Sequence, residues 1–300
     1  MTRPRQVVVN AMTVDVEDYF HVSVFDGILP RGGWDRMESR VERNTERLLE
    51  IFAEAETRAT FFVLGWVAER VPALVARIAS EGHEVASHGT AHRLVYDMTP
   101  AAFREDVRRS KAVLESAGGK AVLGYRAPSY SITPRSLWAL DVLIEEGYAY
   151  DASIFPIHHD RYGIPVSPRH AFRLDRTVGA IIEAPASTVR WGPFNFPVAG
   201  GGYFRILPYW WTHSGIARLN HTERQPAIFY LHPWEIDPGQ PRLEAGLLGR
   251  FRHYRNLDKC EGRLRRLLDD FPFAPMQVVL EQARQAHSSG SYVEALPYLW

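Results

Sequence analysis

Apolar residues in the first half of the chain alternate between two rhythms. Short runs at 7–14, 60–64, 83–87, 122–126 and 148–151 read as strands, and amphipathic stretches lie between them. That order is expected of βα units around a parallel sheet. Ser39 followed by Glu42 resembles a capping box ahead of Val41, Leu48, Leu49 and Phe52. Thr99-Pro100 and Thr133-Pro134 each offer an N-cap with proline at the first helical position, and Gly118 and Gly147 sit where helices should stop. From residue 152 onward the pattern loosens into loops rich in proline and glycine. Apolar runs at 180–183 and 227–231 read as further strands, and a helix-rich stretch begins near Asn256. No repeat, low-complexity tract or linker interrupts the chain. The expected fold is α/β: a distorted (β/α) barrel forming one domain over 8–285, with 152–285 as elaborated loops and extension and 286–300 as a tail.

Composition narrows the partners. Lys plus Arg and Asp plus Glu each total 35, giving a formal charge of zero, so nothing favours nucleic acid or an anionic membrane. A single cysteine, Cys260, excludes an internal disulfide and is expected to be a buried, inert thiol. The apolar stretch near the amino terminus is too short for a signal peptide, and no run suggests a transmembrane helix, so a cytoplasmic location is expected. Oligomeric state is not legible. Aromatic residues make up 12% of the chain and many cluster between 188 and 236. Such rings pack cores more often than they face sugars, though they suit both.

In parallel βα folds, functional groups gather at the carboxyl ends of strands. Here those ends deliver Asp15-Val16-Glu17-Asp18, then His88 and His92, Arg126-Ala127-Pro128, Asp151 and, late in the chain, His232. Each has an ordinary reading. An acidic cluster commonly caps a helix, Asp15 and Arg126 could form a structural ion pair, Asp151 could belong to a turn, and His232 before Pro233 could cap a strand. His158-His159 is assigned to loop, and Gly200-Gly201-Gly202 lacks a phosphate-binding signature. Arg205 just beyond is not expected to touch substrate. Arg263, Arg265 and Arg266 alternate with leucines on an amphipathic surface helix. The conjunction is more informative. Two neutral imidazoles and a carboxylate suit Zn²⁺ or a similar divalent ion, which could make a nucleophile of water near neutral pH.

The sequence resembles the NodB-type polysaccharide deacetylases, metal-dependent carbohydrate esterases that remove acetyl groups from sugars, over roughly residues 8–235. "TVDVED" (13–18) looks like the first family motif, "SHGTAH" (87–92) like the His-Ser/Thr-x-x-His motif with glycine replacing the hydroxyl residue, "RAPSYS" (126–131) like Arg-x-Pro, and "FYLHPWE" (229–235) like Leu-x-His. "DVEDYFH", "YRAPSYSI", "YDASIFP" and "GGGYFRILP" look most like the branch found with exosortase and exopolysaccharide gene clusters, which has its own carboxyl-terminal extension.

This resemblance implies a NodB-type barrel and a divalent ion, foremost Zn²⁺ with Co²⁺ or Ni²⁺ as alternatives. His88 and His92 would be ligands, with one of Glu17 and Asp18 as the third. Glu17 shares a strand face with Asp15, whereas Asp18 could reach the ion if the chain has already turned. Asp15 would be the general base, paired with Arg126, and His232 the general acid, oriented by Asp151. A backbone N–H after Pro128, at Ser129 or Tyr130, would serve the oxyanion. Tyr130 and Trp234 would wall the acetyl and sugar pocket. The implied substrate is an N-acetylated oligo- or polysaccharide or its precursor. The alternatives are a small-amide or ring amidohydrolase of the allantoinase kind and a catalytically inactive sugar-binding module.

Overall fold

The computed structural model describes residues 7–286; the proposed tail falls almost entirely outside them. Eleven strands form among these residues: β1 (Asn10–Val16), β2 (Thr60–Val63), β3 (Glu84–Ser87), β4 (Gly124–Tyr125), β5 (Tyr150–Asp151), β6 (Phe172–Arg176), β7 (Gly179–Glu183), β8 (Thr188–Trp191), β9 (Phe194–Pro197), β10 (Ile228–Leu231) and β11 (Phe273–Ala274). Nine of them build one sheet in the order β10-β1-β2-β3-β4-β5-β7-β6, with β11 also pairing β1. Only the β6–β7 pairing is antiparallel; β8 and β9 form a separate hairpin. This is the α/β architecture with a mostly parallel sheet that the alternating pattern predicts, and the seven expected strands appear with ends shifted by up to three residues.

The helices are α1 (Val41–Glu54), α2 (Gly65–Arg70), α3 (Pro72–Ser80), α4 (Pro100–Gly118), α5 (Trp138–Glu145), α6 (Gly201–Ile206), α7 (Tyr209–Arg218), α8 (Leu247–Tyr254), α9 (Leu257–Asp270) and α10 (Met276–Ala286). Thr99 caps α4 by accepting from the Ala102 N–H, and Gly119 ends it in the left-handed conformation at φ 65°, one residue beyond the expected stop. Two expected caps differ. Helix α5 starts only at Trp138, because Thr133 and Ser136 first close a turn on one another. Ser39 does not cap α1; its hydroxyl donates to Asp18, and the Asp18 carboxylate accepts the N–H groups of Arg40 and Val41 instead. No helix among the described residues is long and apolar enough to cross a membrane.

Side-chain parity along the strands divides the molecule. Met12, Val14 and Val16 of β1, Phe61 and Val63 of β2 and Tyr125 of β4 face the surrounding helices in the main core. The alternate positions Ala11, Phe62, Ala86, Tyr150, Ala152, Ala184 and Ile228 form the inner face, and Met276, Val279 and Leu280 of α10 pack against it. Continuing that parity along β1 takes the inner face from Ala11 through Thr13 to Asp15. Along β10 it runs from Ile228 through Tyr230 to His232. The glycine run packs tightly on β10: Gly200, at φ 119°, would bring a Cβ within 2.0 Å of the Tyr230 carbonyl oxygen.

Candidate metal centre and active site

The inner face opens at the carboxyl ends of the strands into a cavity of about 500 Å³ whose walls include Asp15, Glu17, His88, His92, His232 and Trp234. Its far wall comes from the second half of the chain, at 159–162, 201–206 and 248–253. His159, read as plain loop in the sequence, stacks on Tyr162 within this wall at 3.8 Å between ring centres.

Glu17, His88 and His92 each offer a ligand atom, and these atoms lie within 4.8 Å of one another in buried surroundings. His88 Nδ1 is 2.8 Å from the Arg126 carbonyl oxygen, a contact that makes Nδ1 the donor and leaves Nε2 free. The His88–His92 loop is held by Arg31, which donates to the carbonyls of Ala91 and His92 at 2.7 and 2.8 Å. Within it Gly89 adopts φ 74°, where a Cβ would lie 2.9 Å from Asp106 Oδ2; this accounts for glycine in place of Ser or Thr. Glu17 Oε2 lies 2.9 Å from His92 Nε2, yet this buried oxygen makes no hydrogen bond of acceptable geometry. Two imidazole nitrogens and a carboxylate oxygen converging in buried surroundings fit a shared divalent cation. Burial pushes the Glu17 carboxyl up, but the imidazoles of His92 and His232 outweigh it and hold it below its ordinary value. Burial takes His88 down to about 3, so its ring is neutral, as a ligand must be.

Asp18 is not part of this cluster. The chain turns at Glu17, whose N–H bonds back to the Asp15 carbonyl at 3.0 Å, and Asp18 is directed toward α1. Its carboxylate is spent on Ser39, Arg40, Val41 and Tyr19.

Asp15 Oδ1 accepts from Arg126 Nη1 at 2.6 Å, and the same nitrogen reaches Thr13 at 2.8 Å. Asp15 Oδ2 faces the cavity, 3.8 Å from His232 Nε2. Arg126 is fully enclosed, with its guanidinium 4.2 Å from the centre of the Phe62 ring. His232 Nε2 also lies 3.1 Å from Glu17 Oε1, while its Nδ1 meets Glu235 Oε2 at 3.0 Å. Burial disfavours the charged ring of His232, but Glu17, Glu235 and Asp15 outweigh it and raise it to about 9.

Asp151 does not reach His232. Parity places it on the outer face of the sheet, opposite Glu183 of β7, between inward-facing Tyr150 and Ala152. It accepts from Ser153 Oγ at 2.5 Å, and Ser153 in turn accepts the Ala127 N–H at 2.7 Å. Burial raises both carboxyls of the Asp151–Glu183 pair, Asp151 to about 6 and Glu183 well above its ordinary value, so the pair keeps a proton where an unfolded chain would have lost it. Raised carboxyls destabilise the folded state as pH climbs through the ordinary carboxyl range. Glu183→Gln, which supplies a neutral partner permanently, is therefore expected to flatten the loss of stability between about pH 4 and pH 6. Urea midpoints across that range measure it, and an unchanged slope would exclude proton sharing by the pair.

Of the remaining candidates, Ser129, Tyr130 and Trp234 line the cavity, whereas Pro128 does not. The Tyr130 N–H is donated to the Ala127 carbonyl, so of the two expected backbone donors it is the one already engaged. Ser129 and Tyr130 both sit at φ 53°, a strained left-handed pair typical of functional loops. Trp234 lies between the rings of His232 and His253, stacked at 5.2 and 4.3 Å. Cys260 is free and buried, as expected. Glu235 went unassigned in the sequence, although His232-Pro233-Trp234-Glu235 carries a legible signal: proline at the first helical position and glutamate at the third make a capping box, and Glu235 accepts the His232 N–H at 3.0 Å.

Residues 32–146 match the polysaccharide deacetylase family model, and residues 152–281 match a domain of unknown function (DUF3473). A chitooligosaccharide deacetylase from Sinorhizobium fredii is 32% identical over 152 residues, 49% of this chain and 62% of that protein. Another from a Bradyrhizobium strain is 29% identical over 142 residues, 47% and 59% of the two chains. The chain thus spans about three fifths of these relatives. A putative polysaccharide deacetylase from Mycobacterium smegmatis shares the fold, with a TM-score of 0.64 at 21% identity over 98% of this chain and 96% of that one. The first half of the chain is thus similar to polysaccharide deacetylases, and a domain of unknown function matches most of the second half.

Proposed function

We propose that the protein hydrolyses the acetamido group of N-acetylated amino sugars in an oligo- or polysaccharide or its precursor, releasing acetate and a free amine. The observation that carries this reading is the convergence of Glu17, His88 and His92 within 4.8 Å, with Asp15 and His232 beside them in one cavity. A divalent ion held by those three side chains, zinc by the preference of two imidazoles and a carboxylate, would polarise the acetyl carbonyl and activate water.

The chain's own groups do the rest. Arg126 fixes Oδ1 of Asp15, so Oδ2 takes the proton of the attacking water. The Ser129 N–H supports the developing oxyanion. His232 presents Nε2 to the cavity and passes its proton to the departing nitrogen as the C–N bond breaks. Tyr130 and Trp234 give the acetyl and sugar a dry wall. The resemblance to the exosortase-associated branch makes an exopolysaccharide the favoured polymer.

Chelated protein should release no acetate from N-acetylglucosamine oligomers and should recover on addition of Zn²⁺, Co²⁺ or Ni²⁺. Full activity without an ion, or turnover of small ring amides alone, would overturn the reading.

A further inference from the structure

We infer that Arg205, a residue of the region of unassigned function, is a positioning residue for His232 and acts through Glu235. This inference rests on the deacetylase reading of His232 as the acid. The carboxylate expected behind that imidazole, Asp151, faces the other side of the sheet and pairs with Glu183. Glu235 stands in its place. Its Oε2 holds His232 at both the backbone N–H and Nδ1, each at 3.0 Å.

Glu235 sits on a short 3₁₀ turn, and a carboxylate held through one oxygen can still rotate about its terminal torsion. Arg205 removes that freedom: its Nε donates to Glu235 Oε1 at 2.5 Å. The rest of the guanidinium is tied down in turn. Nη1 donates to the carbonyls of His253 and Arg255, and Nη2 to that of Arg252, all at 2.9 Å. These carbonyls close the last turn of α8 and the residue after it, where a cation is favoured. The Arg205 carbonyl is itself held by Asn256 and Arg263. Arg205 and Glu235 are both about 1% exposed. A buried ion pair is a poor source of stability, because desolvation consumes most of its attraction; its well-attested use is to specify one arrangement. Here the arrangement is the direction of the His232 ring, so the extension completes the catalytic apparatus.

The test compares two substrates in the ion-loaded full-length protein. An N-acetyl amide needs its leaving nitrogen protonated, whereas 4-nitrophenyl acetate expels a stable phenolate without help. Glu235→Gln and Arg205→Met should each lower kcat on the amide by about 100-fold, with KM and ion content unchanged, yet lower turnover of the ester by less than about fivefold. Arg205→Lys, which restores the charge but not the fork, should recover part of the amide activity. If Arg205→Met does not fold, Glu235→Gln and Arg205→Lys carry the comparison alone. Equal losses on both substrates, or no loss on the amide, would overturn the positioning role while leaving the deacetylase reading intact. Wild-type protein that releases acetate from neither substrate would overturn that reading and this inference with it.

Discussion

Asp15→Asn is expected to reduce acetate release by about 10²- to 10⁴-fold, the contribution of a positioned general base, while the protein stays folded and keeps its ion. The choice of asparagine matters. Arg126 is about 1% exposed and its Nη1 is satisfied by Asp15 and Thr13. Asparagine still offers an oxygen to that nitrogen but cannot take a proton from water. Asp15→Ala would leave a buried guanidinium without its counter-charge, at a cost of about 3–5 kcal/mol, and loss of activity would then be confounded with unfolding. Measuring ion content, urea stability and acetate release on the asparagine variant separates these effects. Retention of more than about a tenth of wild-type activity would remove Asp15 from the role of base.

The adjacent acids Glu17 and Asp18 are expected to give opposite phenotypes. Glu17→Ala removes the carboxylate that meets His88 and His92, and should weaken zinc binding by more than about 100-fold, beyond the usual effect of disturbing a supporting residue around such an ion. Activity should fall with ion content and return at least in part with excess metal. Asp18→Ala should leave the ion in place and cost about 1–3 kcal/mol of stability, because it strips the amino end of α1 of its cap and leaves the hydrogen-bond donors of Ser39, Arg40, Val41 and Tyr19 unpaired. Titration with zinc and chemical denaturation of both variants decide the matter; loss of the ion in Asp18→Ala would reverse the assignment.

These two acids also show where sequence reading stops. The alternation of apolar runs placed the strands, and the rule that strand ends carry chemistry brought Asp15, His88 and His232 to one mouth, with Arg126 enclosed behind Asp15. Both are local properties of the chain. Whether Glu17 or Asp18 faces inward depends on a turn two residues beyond Asp15, and what satisfies Asp18 is a helix that begins at Val41. Asp151 failed for a related reason. Its position at a strand end was legible, but its parity could be fixed only once Tyr150 and Ala152 were seen to face inward. Glu235 was readable from its spacing to His232, whereas Arg205 lies 30 residues from Glu235, and nothing local marks their pairing.

Strand β10 lies beside β1 in register from Ala11 and Ile228 to Val14 and Leu231, so the edge along which sequence similarity changes hands at residue 152 has no counterpart in the folded sheet. A fragment trimmed at that seam would expose one flank of its central strand and lose His232 together with Glu235 and Arg205. The two segments share one sheet, and swapping the latter between relatives would carry His232 and the far wall of the cavity along with β10.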